Sequence, residues 1–302
     1  ADAFWRGVEE DMRCFVERAK ADGYTAVTLD DVAHLTHHPI HGEELRAEIG
    51  LWRERYRPLF KIIRAAGLGI YLTSDVLTLP LGLDKKLRSR SVRSAYYREL
   101  LEACLSDWSE LDGLILRLGE CDGLDVRDQF RSHLFLRTPR EANRFLLDLL
   151  PIFEAHQRQL VVRTWTVGAH PIGDLIWHRD TLKRTFRGLG GAHFTVSMKY
   201  GESDFFRYLP VNGAFVRLEQ RKIVEFQARR EYEGAGEFPS FLGWEVEAAR
   251  QALDGVENLV GFSVWCQTGG WHGFRRRAYL DQEAFWIDLN SAVIARVMGC
   301  SM

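Results

Sequence analysis

Apolar positions along this chain alternate between two periods. Residues 3–21 place Phe4, Val8, Met12, Phe15 and Ala19 at helical spacing, and Ala21-Asp22-Gly23 ends the run. A short β-branched run, 25–29, follows and closes on Asp30-Asp31. The same succession then repeats. Helical patterns over 51–66, 91–107, 140–156 and 178–187 lead into strand-like runs at 70–73, 113–118, 160–165 and 193–198. A loop-rich stretch leads into a run at 222–228, a helix near 244–253 into 259–265, and a helix over 281–298 completes the chain.

Seven short apolar strands separated by amphipathic helices predict a parallel sheet covered on both faces. Because the first element is a helix, the pattern predicts a (β/α)8 TIM barrel in the α/β class, with its first strand either lying before Ala1 or formed by a poorly patterned piece. A doubly wound open sheet fits less well. No Gly-x-Gly-x-x-Gly turn follows a strand, and polar residues gather after nearly every strand, not at one crossover. Without a Pro/Gly/Ser-rich linker or a break in composition, the chain reads as one barrel domain, taken from a longer protein.

Composition narrows the function classes. The hydrophobic fraction of 46% supports a large core, and a net charge of -2 with mixed signs leaves no footprint for nucleic acid or an anionic membrane. No apolar run reaches the roughly 18 residues of a membrane span. Five scattered cysteines without a Cys-x-x-Cys pair argue against a disulfide framework or zinc knuckle, and predict a reducing, cytoplasmic setting. Homodimer formation is left open.

In a barrel the chemistry sits where strands end. Those positions hold Asp30 and Asp31, then a loop with His34, His37, His38 and His41, then Ser74-Asp75. Next come Arg117 with Gly119-Glu120-Cys121-Asp122, Arg163 and Trp165, and Lys199-Tyr200-Gly201-Glu202-Ser203-Asp204. Arg229-Arg230-Glu231-Tyr232-Glu233 and the run Trp265 to Trp271 complete the set. Carboxylates, cations and indoles in one concavity suit glycoside hydrolysis. One acid protonates the leaving oxygen, a second carboxylate activates water or attacks the anomeric carbon, and aromatic faces stack on sugar rings. Glu120, Asp204 and Glu231 are the candidate catalytic groups. Arg117, Arg163, Lys199, Trp165, Trp265, Trp271, Asp31 and His37 are the candidate substrate contacts. Arg163 and Lys199 suit a substrate carboxylate, or alternatively neutralise crowded carboxylates of the empty site. The histidine loop lacks regular ligand spacing, so neither a metal nor any other cofactor is expected.

Four segments, Gly119-Glu120-Cys121-Asp122-Gly123, Val161-Val162-Arg163-Thr164-Trp165, Lys199-Tyr200-Gly201-Glu202-Ser203-Asp204-Phe205 and Arg230-Glu231-Tyr232-Glu233-Gly234, resemble glycoside hydrolase family 67, the α-glucuronidases, in kind and order. The resemblance implies a general acid at Glu120, water activation by Asp204 and Glu231 in an inverting reaction, and uronate binding by Arg163 and Lys199. Arg117 stands where that family has a lysine, and Cys121-Asp122 follow the acid. The expectation is an exo-acting, uronic-acid-releasing glycosidase acting on a carbohydrate substrate. The alternatives are a retaining glycosidase with Glu231 as nucleophile, a non-catalytic carbohydrate-binding barrel, and a metal-dependent sugar isomerase.

Overall fold

A computed structural model describes residues 2–119, 129–166, 179–202, 208–230, 233, 236–266 and 277–299. Helix α1 (Asp2–Asp22) leads into strand β1 (Ala26–Leu29), a short helix α2 (Val32–Leu35) and the long α3 (Glu43–Ala65). Strands β2 (Gly69–Asp75) and β3 (Thr78–Pro80) precede α4 (Arg90–Asp107). Then come β4 (Gly113–Gly119), β5 (Phe130–Ser132), α5 (Pro139–Ala155), β6 (Gln159–Thr166) and α6 (Arg179–Thr185). The second half holds β7 (Phe194–Lys199), α7 (Gly213–Val216), β8 (Lys222–Gln227), α8 (Gly243–Ala252), β9 (Leu259–Trp265) and α9 (Phe285–Gly299).

Seven strands form one parallel sheet in the order β1-β2-β4-β6-β7-β8-β9, while β3 and β5 make a small antiparallel pair beside it. The seven parallel strands are those the periodicity predicted. β3, β5, α2 and α7 are additions too short to show a period. Neither β1 nor β9 pairs with a further strand among the described residues, so the barrel is open on that side. Tyr24 spans the opening: its ring lies 6.0 Å from Phe262 of β9, and its hydroxyl donates to the Ser291 carbonyl of α9 at 2.8 Å. No described helix is long and apolar enough to cross a membrane.

Strand side chains alternate between two faces, and here the faces differ in kind. Leu114, Leu116, Leu118, Leu160, Val162, Phe194, Val196, Met198, Val224 and Phe226 all join the continuous apolar core shared with the helices. The residues between them include Arg117, Arg163, Ser197, Lys199, Glu225 and Gln227. Register pairs Arg117 with Arg163, Arg163 with Ser197, and Lys199 with Glu225, so these polar groups line a single face. The apolar face packs against the helices, so the polar face is the inner one of the sheet, and there Arg163 of β6 reaches past β7 to Glu225 of β8 at 2.7 Å.

Candidate active site

The upper part of the concavity is built around two buried cations and one buried carboxylate. The Arg163 guanidinium donates through Nε to Glu225 Oε2 at 2.7 Å and through Nη2 to Oε1 at 2.8 Å. Its plane also lies over the Trp265 ring, 4.3 Å from the centroid. Lys199 places Nζ 3.5 Å from the Trp165 ring centroid. All three charged side chains are buried, Glu225 to 1% exposure. Burial would raise the Glu225 pKa, yet the charge and hydrogen bonds of Arg163, the charge of Lys199 and a hydrogen bond from Trp265 together hold it below the ordinary carboxylate value. Glu225 is therefore a fixed anion and not a proton donor at neutral pH.

On the neighbouring strands, Arg117 Nε lies 2.5 Å from Asp75 Oδ1, and Ser132 of β5 donates to Asp75 Oδ2 at 2.7 Å. Tyr97 donates to Ser74 at 2.6 Å. Arg117 thus neutralises a carboxylate one strand away and pins the β3–β5 pair to the sheet through it. Asp31 accepts from the His34 backbone N–H at 3.0 Å and stands 2.6 Å from its Nδ1, capping α2. The remaining histidines turn to separate partners. His38 meets Glu99 at 3.1 Å and His41 meets the Tyr96 hydroxyl at 2.9 Å. His37 titrates below its ordinary value, mainly through burial and secondarily through Arg53. No group of three or more potential metal ligands occurs among the described residues.

After β7 the chain turns sharply at Gly201, where a Cβ would lie 2.9 Å from Leu209 Cβ. The turn returns the backbone past itself, so the Asn212 N–H donates to the Tyr200 carbonyl at 2.7 Å. After β8, Arg230 is buried and contacts Glu233 and Glu237, each at 3.2 Å. Burial raises the Glu233 pKa despite the bonds from Arg230, so this carboxyl holds its proton more firmly than an ordinary glutamate.

Among the residues expected from the sequence, the structure thus brings Arg163, Lys199, Trp165 and Trp265 together, and ties Arg117 and Asp31 to local carboxylate and capping duties. Glu120, Asp204, Glu231 and Trp271 lie outside the described residues. Arg163 and Lys199 do meet a carboxylate, but it is Glu225, which stands inside β8 and not at its end. Its signal was present: in Lys222-Ile223-Val224-Glu225-Phe226-Gln227, a charge sits inside an apolar strand on the same parity as the site. Stacking by Trp165 and Trp265 is also narrowed, because a cation occupies one face of each ring.

No family model and no curated protein matches the chain. Solved structures do match. A glycoside hydrolase family 5 enzyme from Prevotella bryantii B14 superposes with a TM-score of 0.55 at 12% identity, over 95% of this chain and 85% of that one. The fold is that of the barrel glycoside hydrolases. A tri-modular family 5 endo-β-1,4-glucanase from Bacillus licheniformis matches with a TM-score of 0.56 at 11% identity, over 94% of this chain and 54% of the other. A catalytic module of family 20 from the pneumococcal exo-β-D-N-acetylglucosaminidase gives 0.52 at 8%, over 96% and 79%. These likenesses show the fold alone. Family 67 is not among these matches.

Proposed function

We propose that this chain is an exo-acting glycoside hydrolase that releases a terminal uronic acid. The observation that carries the reading is the buried cluster on β6, β7 and β8, where Arg163 grips Glu225 and Lys199 stands beside it on the same face of the sheet. Arg163, a planar fork, and Lys199, a point charge, suit a substrate carboxylate entering the mouth. Glu225 holds Arg163 in place and orients its fork, while Lys199 lies on the Trp165 indole at the same level of the sheet.

The chemistry follows from this anchor. Glu120, next in sequence to the last residue of β4, acts as general acid on the leaving oxygen. Asp204 or Glu231, on the segments after β7 and β8, activates the water that attacks the anomeric carbon. Two carboxyls bracketing the bond give hydrolysis by inversion, with no cofactor in any step.

Hydrolysis of a uronic-acid-capped oligosaccharide and of the same oligosaccharide with its carboxyl reduced to the alcohol tests the reading. The expected result is turnover of the acid and at least 100-fold lower kcat/KM for the alcohol, since about 3 kcal/mol of charge-assisted hydrogen bonding is lost. Equal turnover of both would overturn it.

A further inference from the structure

The net charge of -2 conceals an uneven distribution. Residues 85–98 hold six of the chain's 40 basic side chains and none of its 42 acids. This run leads into α4, whose first half faces α5 across a groove of about 670 Å³. Small-ligand sites occupy roughly 300–1,000 Å³.

The sequence explains the space. Towards α5, α4 presents Ser91, Ser94 and Ala95, side chains too short to fill the gap between two helices. Deeper in, large rings keep the helices apart. Tyr97 of α4 meets Phe145 of α5 with centroids 5.8 Å apart, and Phe135 meets Phe145 edge-on at 6.1 Å. Buried Phe135, Leu136, Phe145 and Leu149 form an apolar floor. The two sides are cationic. Arg90, Ser94 and Arg98 follow at four-residue steps along α4, and Arg140 and Arg144 do the same along α5, so guanidinium groups flank the groove from both helices.

One of these cations is already answered. Arg90 pairs with Glu141 of α5 and lies over the Phe135 ring, 5.7 Å from its centroid. Arg98, Arg140 and Arg144 are exposed and make no ion pair or hydrogen bond among the described residues. With Glu141 and Asp148 counted, four positive groups line the groove against two negative ones. Every lining cation is an arginine, whose planar fork matches the oxygens of a phosphate or a carboxylate. A single fork satisfies the two oxygens of a carboxylate, whereas a phosphate ester offers three acceptor oxygens and up to two charges. Forks arriving from two helices therefore favour phosphate. The hydroxyls of Ser94 and of Thr138, which caps α5, border the same space. The apolar floor suits an organic part that inorganic phosphate lacks, and the basic run beside the groove draws anions towards it.

We propose that the groove between α4 and α5 binds a small organic phosphate, with Arg98, Arg140 and Arg144 on its phosphate and Phe135 and Leu136 beneath its apolar part. None of these side chains belongs to the concave face of the sheet, so the inference stands apart from the uronidase reading and does not depend on it.

Calorimetric titration with naphthyl phosphate, naphthoate and inorganic phosphate tests this, with thermal melts of the unliganded proteins to show that each variant folds. Wild type should bind naphthyl phosphate at least about tenfold more tightly than either naphthoate or inorganic phosphate. Arg98→Gln/Arg144→Gln should weaken that binding by at least about tenfold, because two charge-assisted contacts are lost. Ser94→Phe, which fills the groove and leaves every charge in place, should weaken it by a similar factor. Lys85→Gln/Lys86→Gln, outside the groove, should stay within about threefold of wild type, as expected of charges that only steer the ligand. No binding of naphthyl phosphate by wild type, equal binding by the arginine variant, or naphthoate bound as tightly as the phosphate would overturn the site. A loss in the lysine variant as large as in the arginine variant would show diffuse attraction in its place, and would overturn it equally.

Discussion

Arg163 on β6 reaches past β7 to grip both carboxylate oxygens of Glu225 on β8, at 2.7 and 2.8 Å, with the Trp265 indole beneath the guanidinium. This ties three neighbouring strands together from the concave side. Replacing Glu225 with glutamine would leave a buried guanidinium without its counter-charge, at about 3–5 kcal/mol of stability. The double variant Arg163→Met/Glu225→Leu should be more stable than Glu225→Gln alone. Urea denaturation of the three proteins checks the order, and a Glu225→Gln protein as stable as wild type would contradict it.

The burial of His41 predicts an acid-side loss of stability. Its pKa falls from the ordinary 6.5 to about 4, chiefly through burial and then through His38 and His37. The unfolded chain therefore binds a proton between those values that the folded chain does not. Stability from this group is complete above pH 6.5 and drains as pH falls towards 4, by about 3 kcal/mol over the full span. Melting temperature followed from pH 7 to pH 4 should drop, and drop less steeply in His41→Gln.

Lys199 is assigned to the substrate's charge and not to bond breaking. Lys199→Gln should raise KM for a uronic-acid-capped substrate by about 10- to 100-fold, with a smaller change in kcat. An effect confined to kcat would place Lys199 in the chemical step instead.

At Gly201 the backbone passes so close to Leu209 that any side chain collides. Gly201→Ala should cost about 1–3 kcal/mol through overpacking, and Leu209→Ala in the same chain should recover part of it. Thermal melts of the single and double variants measure this directly.

The barrel was legible because its strands are short, mostly apolar runs of four to eight residues and its helices carry one wet face, patterns that survive without any tertiary information. Elements that are very short or exist only as pairs carry no such pattern. α2 spans one turn and depends on the Asp31 cap, and β3 and β5 have three residues each and exist only as a pair. Glu225 stands inside β8 and not at its end, so strand-end chemistry does not reveal it, although the two-residue alternation already puts it on the face of Arg163 and Lys199. Pairing partners such as Asp75 for Arg117 depend on register, which no single strand's sequence contains.

The most direct test of the central claim follows the anomeric proton by NMR as the chain acts on a uronic-acid-capped oligosaccharide, in wild type and in Glu120→Gln. The account predicts release of the uronic acid with inverted configuration, and loss of at least 1,000-fold in Glu120→Gln on this poor leaving group, of the order that a general acid contributes. Glu120→Gln turning over the same substrate at the wild-type rate would contradict it.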